Sequence, residues 1–165
     1  MHHHIAYISV GSNIGDKLQN CRKGIAALTA GGRSILKGQS HFYRTEPVDY
    51  SDQDWFVNAV AKIQTKSEPA VLFRDLKSVE RGFGRKKDGI RFGPRILDLD
   101  ILLYDRLILK SVELTIPHPR MHQRRFVLQP MCDIDPRIVH PVLKKDMRSL
   151  LDALGENEQR IIQIK

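Results

Sequence analysis

Asp98 and Asp100 stand two residues apart in Ile96-Leu97-Asp98-Leu99-Asp100-Ile101-Leu102-Leu103-Tyr104. On a strand, a period of two puts both carboxylates on one face and Leu97, Leu99, Ile101 and Leu103 on the other, with the aspartate Cα atoms about 6.6 Å apart. Two acids at this spacing are commonly no more than the solvated face of a half-exposed strand. Here Ile96, Leu102 and Tyr104 fall on the aspartates' own face and make it partly dry. Uncompensated carboxylates in such a setting cost several kcal/mol or take up protons. A hard divalent cation resolves the conflict. Mg²⁺, or Mn²⁺, characteristically combines one or two carboxylates with waters and the phosphates of a substrate.

Directly before this strand, Gly82-Phe83-Gly84-Arg85-Lys86-Lys87-Asp88-Gly89-Ile90-Arg91-Phe92-Gly93-Pro94-Arg95 delivers cations on a glycine-rich loop. A charge run is usually a solvated surface, but positive side chains entering beside paired metal-binding acids suit phosphoryl transfer, in which cations neutralise developing charge. The chain is charged +8 overall, and residues 81–95, with six basic groups against Asp88, hold +5 of that excess. Charge this concentrated fits a compact, highly charged ligand better than a polyanion wrapped over the surface. No Gly-x4-Gly-Lys-Ser/Thr loop is present, which excludes a Walker-type nucleotide site. Gly11-Ser12-Asn13-Ile14-Gly15 fits a tight turn as well as a ligand loop.

These residues need elements to hold them. His4 to Val10 reads as a strand; Leu18, Cys21, Ile25 and Leu28 then follow at helical spacing until Gly31-Gly32. Ile35 to Arg44 reads as extended. Val57, Ala59, Ala61 and Ile63 alternate with Phe56, Asn58 and Val60 on a further strand. Ser67-Glu68-Pro69 starts a second helix with Leu72, Phe73, Leu76 and Val79 as its buried stripe. The aspartate strand follows, then a hairpin of Leu107–Leu109 with Glu113–Ile116. A helix over Gln123–Cys132 contains Pro130, which obscures its end. Asp146 caps a last short helix, and Arg160–Ile164 forms a terminal strand. The order β-α-β-β-α-β matches an α+β, ferredoxin-like core with additional C-terminal helices and a strand, and 165 residues fit a single domain spanning 1–165.

The run Arg91-Phe92-Gly93-Pro94-Arg95-Ile96-Leu97-Asp98-Leu99-Asp100-Ile101-Leu102 resembles the signature of the 6-hydroxymethyl-7,8-dihydropterin pyrophosphokinase family. Gly11-Ser12-Asn13, Phe42-Tyr43-Arg44-Thr45, Phe56-Val57-Asn58-Ala59, Pro117-His118-Pro119-Arg120-Met121 and Arg124-Arg125-Phe126-Val127-Leu128 fall in the family's order and spacing. The resemblance implies that Asp98 and Asp100 hold two Mg²⁺ ions on the phosphates of ATP. It implies that Arg85 and Arg95 contact those phosphates and steady the transition state, with Lys87 standing where relatives often carry arginine. His118 and Arg124 would bind the phosphate chain. Ile101, Leu114 and Thr115 would line the adenine and ribose site, with Glu80 at a polar position near the nucleotide. For the pterin, Asn58 would bond the ring edge and Phe56 and Phe126 would sandwich its faces. Backbone groups of Thr45, Glu46 and Val48 would add hydrogen bonds. Phe92 and Pro119 depart from the tryptophan and tyrosine that some relatives carry.

The implied activity is transfer of diphosphate from Mg-ATP to the pterin hydroxymethyl oxygen with release of AMP, in folate biosynthesis. Physical chemistry agrees on the pterin side: a flat heteroaromatic ring needs apolar faces and a polar edge, and asparagine offers both donor and acceptor. Two other readings stay open. A ferredoxin-like sheet with a basic loop could bind single-stranded RNA, although no Lys/Arg-Gly-Phe/Tyr-Gly/Ala-Phe-Val-x-Phe/Tyr pattern is present. A magnesium phosphohydrolase could use the same aspartates, leaving Asn58 and the aromatic residues without a task. No apolar run approaches the ~20 residues of a membrane span, the start lacks the apolar core of a secretory signal, and Cys21 and Cys132 form no paired motif. The expectation is a cytoplasmic monomer acting on two small molecules, with neither nucleic acid nor membrane as partner.

Overall fold

The computed structural model describes residues 2–47, 52–84, 94–155 and 159–165. Strand β1 (His4–Ser12) leads into α1 (Lys17–Thr29), whose first turn is capped by Asp16, accepting from the Gln19 N–H at 3.2 Å. Gly32 at φ +78° follows the helix, in the left-handed conformation that suits glycine. Strands β2 (Ser34–Gln39), β3 (Tyr43–Thr45) and β4 (Phe56–Thr65) follow, then α2 (Pro69–Gly82) and β5 (Asp98–Tyr104). The sheet runs β5-β1-β4-β3-β8 with β2 also paired to β4, and every pair is antiparallel. With β2 and β3 counted as the two pieces of one expected strand, this is the expected βαββαβ order. The two-residue strands β6 (Leu109–Lys110) and β7 (Thr115–Ile116) form the small hairpin. A 3₁₀ turn (Met121–Gln123), α3 (Arg125–Ile134), α4 (Met147–Ala153) and β8 (Ile161–Gln163) complete the described chain.

The alternation of β1 and β4 divides the interior between the two faces of the sheet. Ala6, Ile8, Val10, Val57, Ala61 and Ile63 pack with Cys21 and Ile25 of α1 and Leu72 and Leu76 of α2. Tyr7 and Val60 point the other way, to Val127, Leu128 and Met131 of α3 and Leu150 and Leu151 of α4. On this second face the ends of β1, β4 and β5 carry Gly11, Asn58 and Asp98 in place of large apolar side chains.

Four expectations are corrected. The extended run from Ile35 to Arg44 breaks between β2 and β3, because Ser40 bonds β4 with its side chain as well as its backbone: its N–H donates to the Val60 carbonyl at 3.0 Å and its Oγ accepts from the Val60 N–H at 2.9 Å. α3 continues through Pro130, which is buried with Val127 and Met131, so that the lost backbone donor is offset by apolar packing. β5 begins at Asp98 rather than Ile96.

Its alternation also changes hand. Tyr7 pairs with Leu103 but Ile8 with Ile101, so Leu102 is an extra residue, a β-bulge. Leu102 and Leu103 therefore both join the α3 side, while Tyr104 turns to the α1/α2 side, the reverse of the strict period for Leu103 and Tyr104.

Candidate active site

Antiparallel register lines up one residue from each of three strands: Asn58 of β4 faces Gly11 of β1, and Gly11 faces Asp98 of β5. At ordinary strand spacing the Asn58 and Asp98 Cα atoms lie about 10 Å apart. Between them the glycine leaves a floor without side chain. An added Cβ there would stand 2.6 Å from Asn58 Oδ1 and 3.9 Å from the Phe56 ring. Asn58 is held by donating from Nδ2 to Thr45 Oγ1 at 2.6 Å, both residues being buried. Phe56, two residues before Asn58, lies on the same face of β4 and is half-buried. Phe126, also half-buried, packs against the α3-side core with the Arg124 guanidinium 5.4 Å from its ring centroid.

Asp98 and Asp100 keep their shared face. Burial first, and the charge of Asp98 second, raise the Asp100 pKa well above the usual carboxylate range, with Lys77 pulling the other way. Asp100 is 31% exposed, so solvent moderates the effect. A raised carboxylate beside another, in a hard-oxygen setting, fits a divalent cation. Among the described residues no group of three or more His, Cys, Asp or Glu gathers to form a closed metal cage. Remaining coordination positions would fall to water and ligand oxygens, as Mg²⁺ prefers.

Among the described residues β5 pairs with β1 alone, and its other edge is held by α2. The Leu99 N–H donates to Glu80 Oε2 at 2.7 Å, and Lys77 Nζ donates to the Leu99 carbonyl at 3.4 Å. Lys77 also lies 3.2 Å from Glu80 Oε1 and 3.9 Å from Asp100 Oδ1. Glu80 is only 1% exposed. Its carboxylate thus fixes the backbone between the two aspartates, a task invisible in the sequence, where only the family position suggested a nucleotide contact. Lys77 was not singled out at all; the signal available was its helical offset of three from Glu80.

Ile101 is buried in the α1/α2-side core, on the opposite face from the aspartates, and Leu114 packs against the same cluster; Thr115 opens β7 beside it. A ligand that meets both Asp98 and this group has to pass around the β5 edge, where Lys77 and Glu80 sit.

His118 is tied to β5 by its N–H, which donates to the Leu102 carbonyl at 2.9 Å. Its Nδ1 accepts from the Arg120 N–H at 3.1 Å, so the neutral ring carries its proton on Nε2 and presents a donor. Burial, and then the charge of Arg124, push the His118 pKa down to about 4, against the pull of Asp98. The unfolded chain takes up this proton near the ordinary 6.5 and the folded chain only near 4, so the folded state loses stability as pH falls through that window and regains it as pH rises. His118→Gln is expected to flatten the fall in Tm between pH 6.5 and 4, read by thermal unfolding; identical slopes in variant and parent would refute a depressed ring.

Arg95 precedes β5, with its N–H donating to Asn13 Oδ1 at 2.7 Å and its carbonyl accepting from the Asn13 N–H at 3.0 Å. Asn13 Nδ2 donates to Gln53 Oε1 at 2.7 Å and to the Asp54 carbonyl at 3.3 Å. Gly11 and Ser12 thus finish β1 rather than turn, and Asn13 braces two loops. Arg124, just before α3, acts on His118 together with Arg120, Lys77 and Asp98. Arg85, Lys87 and Val48 lie outside the described residues.

Fold and site together define an α+β domain of ferredoxin-like topology whose sheet aligns a buried asparagine, a bare glycine and a carboxylate pair. The sequence matches the model of 7,8-dihydro-6-hydroxymethylpterin-pyrophosphokinase (HPPK) over residues 7–136, and the chain belongs to that family. It is 41% identical over 130 residues to the 2-amino-4-hydroxy-6-hydroxymethyldihydropteridine pyrophosphokinase of Bacillus subtilis, covering 79% of this chain and 77% of that protein. The protein of the same name from Haemophilus influenzae is 40% identical over 136 residues, covering 82% of this chain and 84% of its own. The folic acid synthesis protein fol1 of Schizosaccharomyces pombe is 41% identical over 95% of the chain, but the chain spans only 21% of fol1. Among solved structures, a Plasmodium falciparum HPPK-DHPS matches with a TM-score of 0.73 at 14% identity, over 92% of this chain and 45% of that one; this likeness bears on the fold. No helix among the described residues is long and apolar enough to cross a membrane.

Proposed function

We propose that the chain, as one domain, transfers diphosphate from ATP to the hydroxymethyl oxygen of 6-hydroxymethyl-7,8-dihydropterin and releases AMP, with two Mg²⁺ ions on Asp98 and Asp100. The row Asn58–Gly11–Asp98 carries this reading, because it sets a ring-edge hydrogen-bonding group and a carboxylate pair on one floor at about 10 Å. In this reading Asn58 orients the pterin edge, Phe56 and Phe126 contact its faces, and Thr45 holds Asn58. His118 Nε2, Arg124 and Arg95 bind phosphate oxygens, with Arg85 and Lys87 assigned the same work from sequence alone. Bound Mg²⁺ would supply Lewis-acid polarisation of the phosphates and charge neutralisation. The remaining catalysis is positioning: the pterin oxygen is held for in-line attack at the β-phosphorus while AMP departs. Ile101, Leu114, Thr115 and Glu80 belong to the nucleotide side by position.

The deciding experiment incubates the protein with ATP, Mg²⁺ and hydroxymethyl-dihydropterin and follows AMP. Release that depends on the pterin is expected, and pterin-independent ADP would instead favour a phosphohydrolase. Gly11→Ala gives a second check. Its methyl would intrude on Asn58 Oδ1, so the pterin KM is expected to rise roughly tenfold while the ATP KM stays near the parent's; displacing a buried, bonded side chain also costs about 1–3 kcal/mol, so Tm falls with it. Unchanged pterin kinetics would remove Asn58 from the site.

A further inference from the structure

We infer that residues 159–164, near the C-terminus, are a positioning element of the pterin side of the site; this rests on the proposed function and adds a part to it. The family match ends at residue 136, well before this segment. Yet β8 pairs with the whole of the three-residue strand β3: Tyr43 with Gln163, Arg44 with Ile162 and Thr45 with Ile161. The contact extends beyond the strand at both ends. The Ile164 N–H donates to the Phe42 carbonyl at 2.8 Å, and the Glu46 N–H donates to the Arg160 carbonyl at 2.9 Å. Glu46 is enclosed further, since the Arg160 N–H donates to Glu46 Oε2 at 3.0 Å and Gln159 Nε2 donates to the Glu46 carbonyl at 2.5 Å. Gln159 is itself buried.

Trp55, next to Phe56, joins the same assembly: the guanidinium of Arg160 lies 5.3 Å and that of Arg44 5.4 Å from its ring centroid. A three-residue strand with one partner is a weak support. β8 gives β3 a second partner, and β3 supplies the Thr45 hydroxyl that orients Asn58. The N–H and carbonyl of Glu46 are both bonded to the tail, so this residue holds the wall, and its carbonyl keeps a second lone pair for the ligand contact that the resemblance implies.

The test compares the full chain, the Gln159→Ala/Arg160→Ala double variant and a chain ending at Gly155, by steady-state kinetics and by amide hydrogen exchange over residues 43–46. Both variants are expected to raise the pterin KM about tenfold and to leave the ATP KM near the parent's. Exchange at 43–46 should speed up even without substrate. If the truncated chain does not fold, the double variant decides. Unchanged exchange and pterin KM would overturn the inference, as would an equal rise in both KM values, the mark of a general loss of structure. Absence of pterin-dependent AMP release from the full chain would instead defeat the proposed function, with the exchange result still reporting on the tail.

Discussion

Asp98→Ala is expected to lower AMP release by about 10³-fold or more, matching the several kcal/mol a metal ion contributes to a charged transition state. The same variant should unfold within about 1 kcal/mol of the parent, because the side chain is half-buried and its removal relieves the repulsion that raises Asp100. Activity and stability thereby separate. Asp98→Asn, which keeps the shape and one neutral oxygen donor, should fall between parent and alanine variant. Near-parent AMP release from Asp98→Ala would end the carboxylate-pair reading, and a large fall in Tm would reassign Asp98 to the fold.

Glu80→Ala is expected to do the opposite and act through stability, costing about 2–4 kcal/mol in denaturant unfolding. The buried carboxylate satisfies the Leu99 N–H and faces Lys77; without it the first is left unbonded and the second unbalanced. The lower end of that range reflects Lys77, which is 27% exposed and can turn toward water. Turnover should fall as well, since Leu99 lies between the two aspartates. Glu80→Gln retains an acceptor for Leu99 and should recover part of the stability. A Glu80→Ala protein as stable as the parent would show that the clamp is not needed to hold β5.

The parts of this architecture that follow a simple period were legible in the sequence. Asp98 and Asp100 share a face because two residues separate them, and Asn58 and Phe56 share one for the same reason. Asp146 caps its helix because a short acidic side chain reaches the N–H three residues on, that of Ser149. What escaped depends on contacts between distant segments. Leu102 looks like any apolar strand residue until its pairing with β1 is known, and only then does the reversal of Leu103 and Tyr104 follow. Gly11 is unremarkable in a turn-like sequence until register places it between Asn58 and Asp98. Glu80 is an ordinary helical acid until β5 arrives beside it. The terminal strand was expected, but its partner β3 lies more than a hundred residues away. Arg85, Lys87 and Val48 stay where the sequence put them, as assignments by resemblance.

The edge position of β5 has a consequence for how copies of this protein behave toward one another. An edge strand offers an open row of backbone donors and acceptors to any extended chain that drifts alongside, which is how sheets of separate molecules join and aggregate. At Leu99 both backbone groups are already bonded to side chains of α2, and Lys77 adds a charge at the same spot. An incoming strand would have to break those bonds and displace that charge to register beside the aspartates. The contacts that set the carboxylates in place thus also guard the sheet's end against intermolecular pairing, and losing Glu80 should leave the folded protein more prone to associate as well as easier to unfold.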